Sequence, residues 1–458
     1  MSRRRRARRR APAPANSAPG VVAARDEPAP LLPPRPAPWA ARWPPGVVAL
    51  LLACLAMAVY CANGRSIPSG DSISTALLPI ELLTHGDVVM DAYVPYYREH
   101  SIRTYFFTWT RRGRLPTYPL ATALVLTPLY AVPVWIYQRS GPGVADWVHF
   151  ANVAEKPAAA LVAAAAAAVC YLLALRLGAG RRWAVALTLA AAFGTEAWST
   201  GSQALWQHGM GVLAILLASL LALRQVESPA VATALGCGAA CALAVAVRPT
   251  NLAFALPLFC WVALRRSPRF AAHLAAAAAV PLLAGSALVA YNLVLFHRLA
   301  GGYHWKLGAA IPAALAGLLA SPGRGLLIYF PLAAGGAWGA ARALRRHGLW
   351  GSIHAPWALF IVAQLLIVAA FANWWGGFCY GPRQLSEIEP LLVLMWIPLL
   401  PAAATAARSV STAGWVVWAF WALFAWSAAL QAVGAFRYTG MWNASPRTID
   451  TSPERLWD

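Results

Sequence analysis

The feature that most constrains this chain is a run of apolar blocks, each about long enough to cross a bilayer, recurring along nearly its whole length. They fall at about 46–62, 119–137, 157–176, 183–198, 209–223, 230–247, 250–264, 271–296, 325–342, 354–372, 389–406 and 412–435. Backbone in hydrocarbon must satisfy its polar groups internally, so such blocks fold as helices. Of the 458 residues, 60% are hydrophobic and only 12% charged. That is about half the charged fraction of a soluble domain. A water-soluble enzyme and a disordered chain are both excluded. The expected fold is all-α, a polytopic transmembrane helix bundle of about 11–13 spans with a large first external loop holding short interfacial helices.

The net charge of +21 does not mark a nucleic-acid partner, because the arginines sit at the N-terminus and in short loops between apolar blocks. That is how a membrane protein sets its orientation. Residues 1–43 open with Arg3, Arg4, Arg5, Arg6, Arg8, Arg9 and Arg10 and then turn Ala/Pro-rich. They read as a disordered, basic cytoplasmic tail that touches anionic lipid or only enforces topology. The block 46–62 follows too long a tail for an ordinary signal peptide and reads as an uncleaved anchor, N-terminus inside. The transmembrane domain spans 44–435, and 436–458 is an external tail. Arginine in place of lysine and abundant alanine hint at a GC-rich bacterial genome, hence an inner (cytoplasmic) membrane location. Trp is frequent, at 22, as expected where rings sit at the water–lipid boundary. Six of the seven Cys lie inside apolar blocks, with no zinc or disulfide spacing.

Residues 63–118 form the one long polar insertion, with Asp71, Glu81, Asp87, Asp91 and Glu99. It belongs outside the hydrocarbon, after the first span. Basic connections at Arg176/Arg181/Arg182, Arg224, Arg265/Arg266/Arg269, Arg342/Arg345/Arg346 and Arg408 read as cytoplasmic. The alternate connections 199–208, 297–324 and 373–388 then lie outside. One parity is unresolved. If 119–137 crosses fully, every later basic loop lands on the wrong side. Either this segment, carrying Pro128 and Pro133, is broken and re-entrant, or a further crossing lies in 138–156, or the positive-inside rule fails here.

Five motifs on the external side can carry chemistry. Gly70-Asp71-Ser72, with Asp87 and Asp91, offers a carboxylate beside the membrane, a general base or simply a solvated acid. Arg114-Leu-Pro-Thr-Tyr118-Pro119 either starts a helix or walls a cavity. Trp206-Gln207-His208-Gly209 combines a stacking face, an amide and a titratable ring, suited to a sugar or phosphate. Ser321-Pro-Gly-Arg324-Gly325 is a turn or an anion site. In Asn373-Trp374-Trp375-Gly376-Gly377-Phe378-Cys379-Tyr380-Gly381-Pro382-Arg383-Gln384, three glycines and a proline keep the backbone non-helical, and such backbone at membrane depth is buried or lines a wet cavity. Arg383 is a forked donor for phosphate. No Walker loop, dinucleotide fingerprint, HExxH or GxSxG occurs.

Together these motifs resemble the bacterial integral-membrane glycosyltransferases of the GT-C superfamily. The relatives include dolichyl-phosphate-mannose–protein mannosyltransferases and lipid A aminoarabinose transferases. The resemblance covers roughly 44–458. Many of these enzymes carry a second acid beside the first, where this chain has Ser72. The resemblance implies inverting transfer of a sugar from a polyprenyl-phosphate donor to an acceptor hydroxyl on a glycan, lipid or protein, at the external face. Asp71 is then the first choice of base and Asp91 the second. Arg383, Arg324 and His208 are candidates for the donor phosphate. Gln207, Trp206, Trp374, Trp375, Tyr380 and Tyr118 are candidates to line the substrate. No metal ligands are assigned, and a divalent ion as cofactor is left open. The competing reading is a transporter or lipid flippase, which expects polar spans and inverted repeats; neither is evident.

Overall fold

The computed structural model describes residues 43–458 except 266, 268, 304–305, 402–409, 446, 450–451 and 458. The basic tail up to residue 42, and Arg408, lie outside the described residues.

The first helix, α1 (Pro45–Cys61), opens with proline at its first position, where the missing N–H costs nothing. The polar insertion follows. It contains α2 (Gly70–Thr84), α3 (Val94–Glu99) and an antiparallel hairpin of β1 (Phe107–Thr110) and β2 (Gly113–Pro116). Ser69 and Ser72 form a reciprocal capping box that fixes the start of α2. Next come α4 (Ala121–Gln138), α5 (Val144–Arg176), α6 (Arg181–Phe193), a π-helical turn at Ala197–Gly201, α7 (Gln207–Glu227), α8 (Val231–Val247), α9 (Leu252–Ala263) and α10 (Phe270–Phe296). The second half holds α11 (Ile311–Ala320), α12 (Leu326–Tyr329), α13 (Leu332–His347), α14 (His354–Ala370), α15 (Glu389–Leu394), α16 (Val410–Arg437) and α17 (Met441–Ala444).

Contacts at the helix ends bring together segments far apart in the chain. At one end Arg181 donates to the Trp43 carbonyl (2.8 Å), Arg176 pairs with Glu227, and Arg265 donates to the Trp350 carbonyl (2.5 Å). At the other, Asn63 donates to Gln203 Oε1 (2.6 Å) and to the Ala435 carbonyl (2.8 Å), and Ser66 donates to Glu155 Oε1 (2.9 Å). Among the described residues five helices, α4, α5, α7, α10 and α16, are long and apolar enough to cross a bilayer by length and composition, and α1, α8, α9, α11 and α14 are shorter apolar helices. Arg176, Arg181 and Arg265 stand at the first end. The polar insertion and the segments around 200, 300, 375 and 440 gather at the second.

The parity problem resolves at α4. It is one helix despite Pro128 and Pro133, so the expected break is absent. It packs on α2, and its end meets Trp147 and Phe150 in the first turns of α5 through Tyr137 (ring centroids 5.3 and 5.0 Å). Arg176, which marks the basic end, lies about 40 Å farther along α5. So α4 stays on the side of the polar insertion and does not cross. Its outward face is apolar: Leu124, Val125, Leu129, Val132, Trp135 and Ile136 are exposed. A helix with one bare apolar face beside a bilayer lies in the interface.

The C-terminal segment is not a loose tail. The Gly323 N–H donates to the Leu456 carbonyl (3.0 Å), and Ile449 and Leu456 pack on Trp375.

Candidate functional site

Asp71 stands at the second position of α2, so the helix start presents its carboxylate with the local backbone N–H dipoles behind it. Two groups hold it. The Tyr118 hydroxyl donates to Oδ1 at 2.5 Å, and Arg383 Nη1 donates to Oδ2 at 2.6 Å. Its side chain keeps 21% exposure. Burial opposes its ionisation, but the Arg383 charge and the Tyr118 hydrogen bond more than offset that, leaving the carboxyl below its ordinary range. Burial and the adjacent carboxylate push the Tyr118 hydroxyl up, so it remains a donor.

Arg383 is positioned from three sides. Nη2 donates to the Gly376 carbonyl (2.7 Å), Nη1 reaches Asp71, and the guanidinium lies 4.3 Å above the Trp206 ring. Its Nε and the Trp206 indole N–H are buried donors without an acceptor. The non-helical backbone expected from the glycines is present. Gly376 and Gly381 have φ of +78° and +57°, a region that disfavours side chains. At Gly381 a Cβ would also sit 2.1 Å from Glu196 Oε1. The carboxylate of Glu196 lies directly beneath the turn that delivers Arg383.

A second charged group sits beside the first. Glu387 accepts from Arg248 Nη1 (2.7 Å), and His208 Nδ1 lies 3.0 Å from its other oxygen. Arg248 also donates to the Gln384 carbonyl (3.2 Å) and to Gln384 Oε1. Burial works against the ionised form of Glu387. Arg248 and His208 outweigh it and hold the carboxyl down at about 2. Gln207 Oε1 accepts from the Tyr303 hydroxyl (3.2 Å), and the Tyr303 ring meets Tyr118 edge-on at 5.7 Å. A network of Asp71, Tyr118, Tyr303, Gln207, Trp206, His208 and Arg383 thus comes together from four separate segments.

Other expected residues stand elsewhere. Asp91 is exposed and accepts from the Arg114 backbone N–H (3.2 Å), so it fastens the hairpin and not the Asp71 site. Arg324 is fully buried and its donors are occupied. It donates to the carbonyls of Trp375 (2.9 Å), Gly323 (2.7 Å) and Gly377 (3.0 Å) and to Asn443 Oδ1 (2.7 Å). It clamps the glycine loop to the C-terminal segment and leaves no fork for a phosphate. Tyr380 packs among Tyr329, Tyr438 and Trp442, and its hydroxyl donates to the Leu430 carbonyl (2.8 Å), in an aromatic cluster rather than in the Asp71 network. Trp374 packs against Gly317, and Trp375 is buried between the loop and the C-terminal segment. His208 directs its Nδ1 edge to Glu387, which makes it a partner of that carboxylate.

The residues that sequence reasoning missed are Arg248, Glu387, Tyr303 and the buried acids Glu196 and Glu389. Arg248 looked like the boundary of two apolar blocks. Its signal was a lone arginine before Pro249, between two apolar blocks. The Glu196 N–H donates to Glu389 Oε2 (2.7 Å). Among the described residues no group of three His, Cys, Asp or Glu could hold a metal ion. The donor set around Asp71, a phenol and a guanidinium, does not fit a cation.

Neither a family model nor a curated protein matches the sequence. Solved structures do match its fold. Two of them are ArnT from Cupriavidus metallidurans, one bound to undecaprenyl phosphate and one in the apo state. Each aligns with a TM-score of 0.52 and 15% identity over 85% of this chain, covering 75% and 76% of theirs. The architecture is therefore a polytopic membrane helix bundle that shares the fold of these ArnT structures. This agrees with the resemblance read from the motifs.

Proposed function

We propose that this protein transfers a sugar from a polyprenyl-phosphate donor to an acceptor hydroxyl, with inversion at the anomeric carbon and Asp71 as general base. One observation carries the reading: Asp71, Tyr118 and Arg383 form a single charged group at the start of a helix, beside two buried N–H donors that lack an acceptor. Buried donors of this kind call for an absent partner, and an anion suits them. The ArnT neighbour bound to undecaprenyl phosphate supports a polyprenyl phosphate as that anion. The site faces away from the basic end, hence out of the cytoplasm.

The acceptor oxygen attacks the anomeric carbon and gives its proton to Asp71. The bond from that carbon to the phosphate oxygen breaks, and its electron pair leaves with the polyprenyl phosphate. The leaving group is already a stable anion, so no second carboxyl is required as acid. Arg383 stabilises the charge that develops there. Arg383 is shared. When the donor phosphate engages it, its hold on Asp71 loosens and the carboxylate becomes a stronger base. Trp206 and Gln207 line the sugar side. Arg248 and Glu387 hold Gln384 and His208 in place. Arg324 keeps the loop rigid.

The test is transfer from a polyprenyl-phosphate sugar by the full chain in lipid nanodiscs, comparing wild type with Asp71→Asn. The proposal expects a new glycosidic bond that the variant fails to make when assayed below its own unfolding temperature. Donor translocation with no covalent product would replace it with a transporter.

A further inference from the structure

The hairpin of β1 and β2 is not used by this mechanism, yet it is tied to the site. The Thr117 hydroxyl donates to the Tyr105 carbonyl (3.0 Å), and the hydroxyls of Thr108 and Thr117 bond at 2.8 Å. Tyr118, which follows, holds Asp71. At the other end of this link the Tyr105 hydroxyl lies so close to Gly70 that a Cβ there would come within 2.1 Å. Gly302, next to Tyr303, packs on Thr108 and Thr117. The hairpin base is thus fixed to the residues on either side of the catalytic carboxylate.

Its outer part stands clear. Phe107 and Trp109 share a face of β1 by the two-residue period. Phe107 is buried, whereas Trp109 is 71% exposed. Arg114 stacks on the Trp109 ring at 4.5 Å, stiffening the indole and covering one face. Arg111 and Arg112, in the hairpin turn, and Arg103, four residues before β1, are exposed, and among the described residues they form no ion pair. From His100 to Thr117 there is no acid. Asp91, which borders the hairpin, already accepts the Arg114 N–H.

We infer that this hairpin is the acceptor-docking arm of the site and that it suits a glycan carrying negative charge. A rigid indole with one bare face stacks on a sugar ring. Guanidinium forks without carboxylate partners pair with phosphate or carboxylate groups. The Tyr105–Gly70 contact places the bound chain next to Asp71. The word acceptor rests on the transferase reading; binding of an anionic glycan does not, and the two are tested separately.

The experiment measures fluorescence anisotropy of labelled hexagalacturonate and labelled maltohexaose on the full chain in neutral-lipid nanodiscs, repeated in anionic-lipid nanodiscs. Wild type and Asp71→Asn are expected to bind the galacturonate alike and at least tenfold more tightly than the neutral hexamer. Arg111→Ala/Arg112→Ala and Trp109→Ala should each weaken it at least tenfold, and added salt should weaken the wild type more than the arginine variant. Equal binding of the two hexamers, no binding of either, or no effect of the hairpin variants would overturn the inference. So would a hairpin effect seen only as altered association with anionic lipid, which would make it a membrane anchor. Failure of sugar transfer in the Asp71→Asn comparison leaves this result untouched, and a null result here leaves the transferase reading untouched.

Discussion

Arg383 and Asp71 are 312 positions apart in the chain and joined by a 2.6 Å hydrogen bond between opposite charges. The pair links the first polar loop to the last. A lone carboxylate and a lone guanidinium would each be costly in this buried setting. Their pairing offsets the cost of both.

Asp71→Asn should lower kcat by about 10²- to 10⁴-fold, the range for a lost general base. Asp91→Asn should leave kcat within about threefold, because Asp91 bonds only to the hairpin backbone. Single-turnover transfer with both variants decides it, and equal losses would remove Asp71 from the role.

The acid side of the pH profile should separate free enzyme from complex. In the free enzyme Arg383 holds the Asp71 carboxyl below its ordinary range. Activity needs the ionised form, so kcat/KM should fall only when the pH drops below that range. With donor bound, Arg383 is drawn to the phosphate and the limb for kcat should lie at higher pH. Arg383→Gln should move the kcat/KM limb to higher pH than in the wild type, because burial then acts on Asp71 with less to offset it, and raise KM for the donor. Coincident limbs in the wild type would count against a shared arginine.

Glu387 makes a stability prediction. Its folded carboxyl lies at about 2, below the unfolded value of about 4.3. The stabilisation is fully present above the unfolded value and is lost as pH falls from about 4.3 towards 2. Thermal unfolding should show a drop in Tm across that window. Glu387→Gln should lower Tm at neutral pH and flatten the drop. An unchanged slope would show that other carboxylates account for it.

Arg324→Met should destabilise the fold without a specific effect on donor affinity. It leaves three carbonyls and Asn443 Oδ1 without their donor, at about 1–3 kcal/mol for each buried group left unsatisfied. Measured below its lowered Tm, the variant should keep the wild-type donor KM. A large rise in KM at full folding would return Arg324 to the phosphate.

Gly381→Ala should cost activity more than stability. The new Cβ meets Glu196 Oε1 and a φ of +57°. The turn must shift, and Arg383 with it. Loss of transfer with a Tm change of only a few degrees is the expected result, read by parallel activity and unfolding assays.

Much of this was legible in the residues. Apolar block length announced the bundle, and arginine placement announced its two ends. The scarcity of acids drew attention to Asp71, and glycine with proline marked the irregular loop that carries Arg383. What stayed hidden were partnerships. Arg324 and Arg383 sit in similar Gly/Pro-rich turns, yet one is saturated by carbonyls and the other faces a carboxylate. Only the tertiary arrangement separates them. Arg248 and Glu387 were invisible because each looked like the edge of a span, and their meaning lies in each other. The α4 block has the composition of a span, and hydropathy alone does not tell a helix lying along the bilayer surface from one that penetrates it.

The bare side of α4 has a further consequence. Seated at the headgroup level, it acts as a float for the polar insertion, setting the height at which α2 rides. A lipid-anchored pyranose would then meet its carboxylate in the plane where it already drifts, and the reaction would need no lift out of the leaflet.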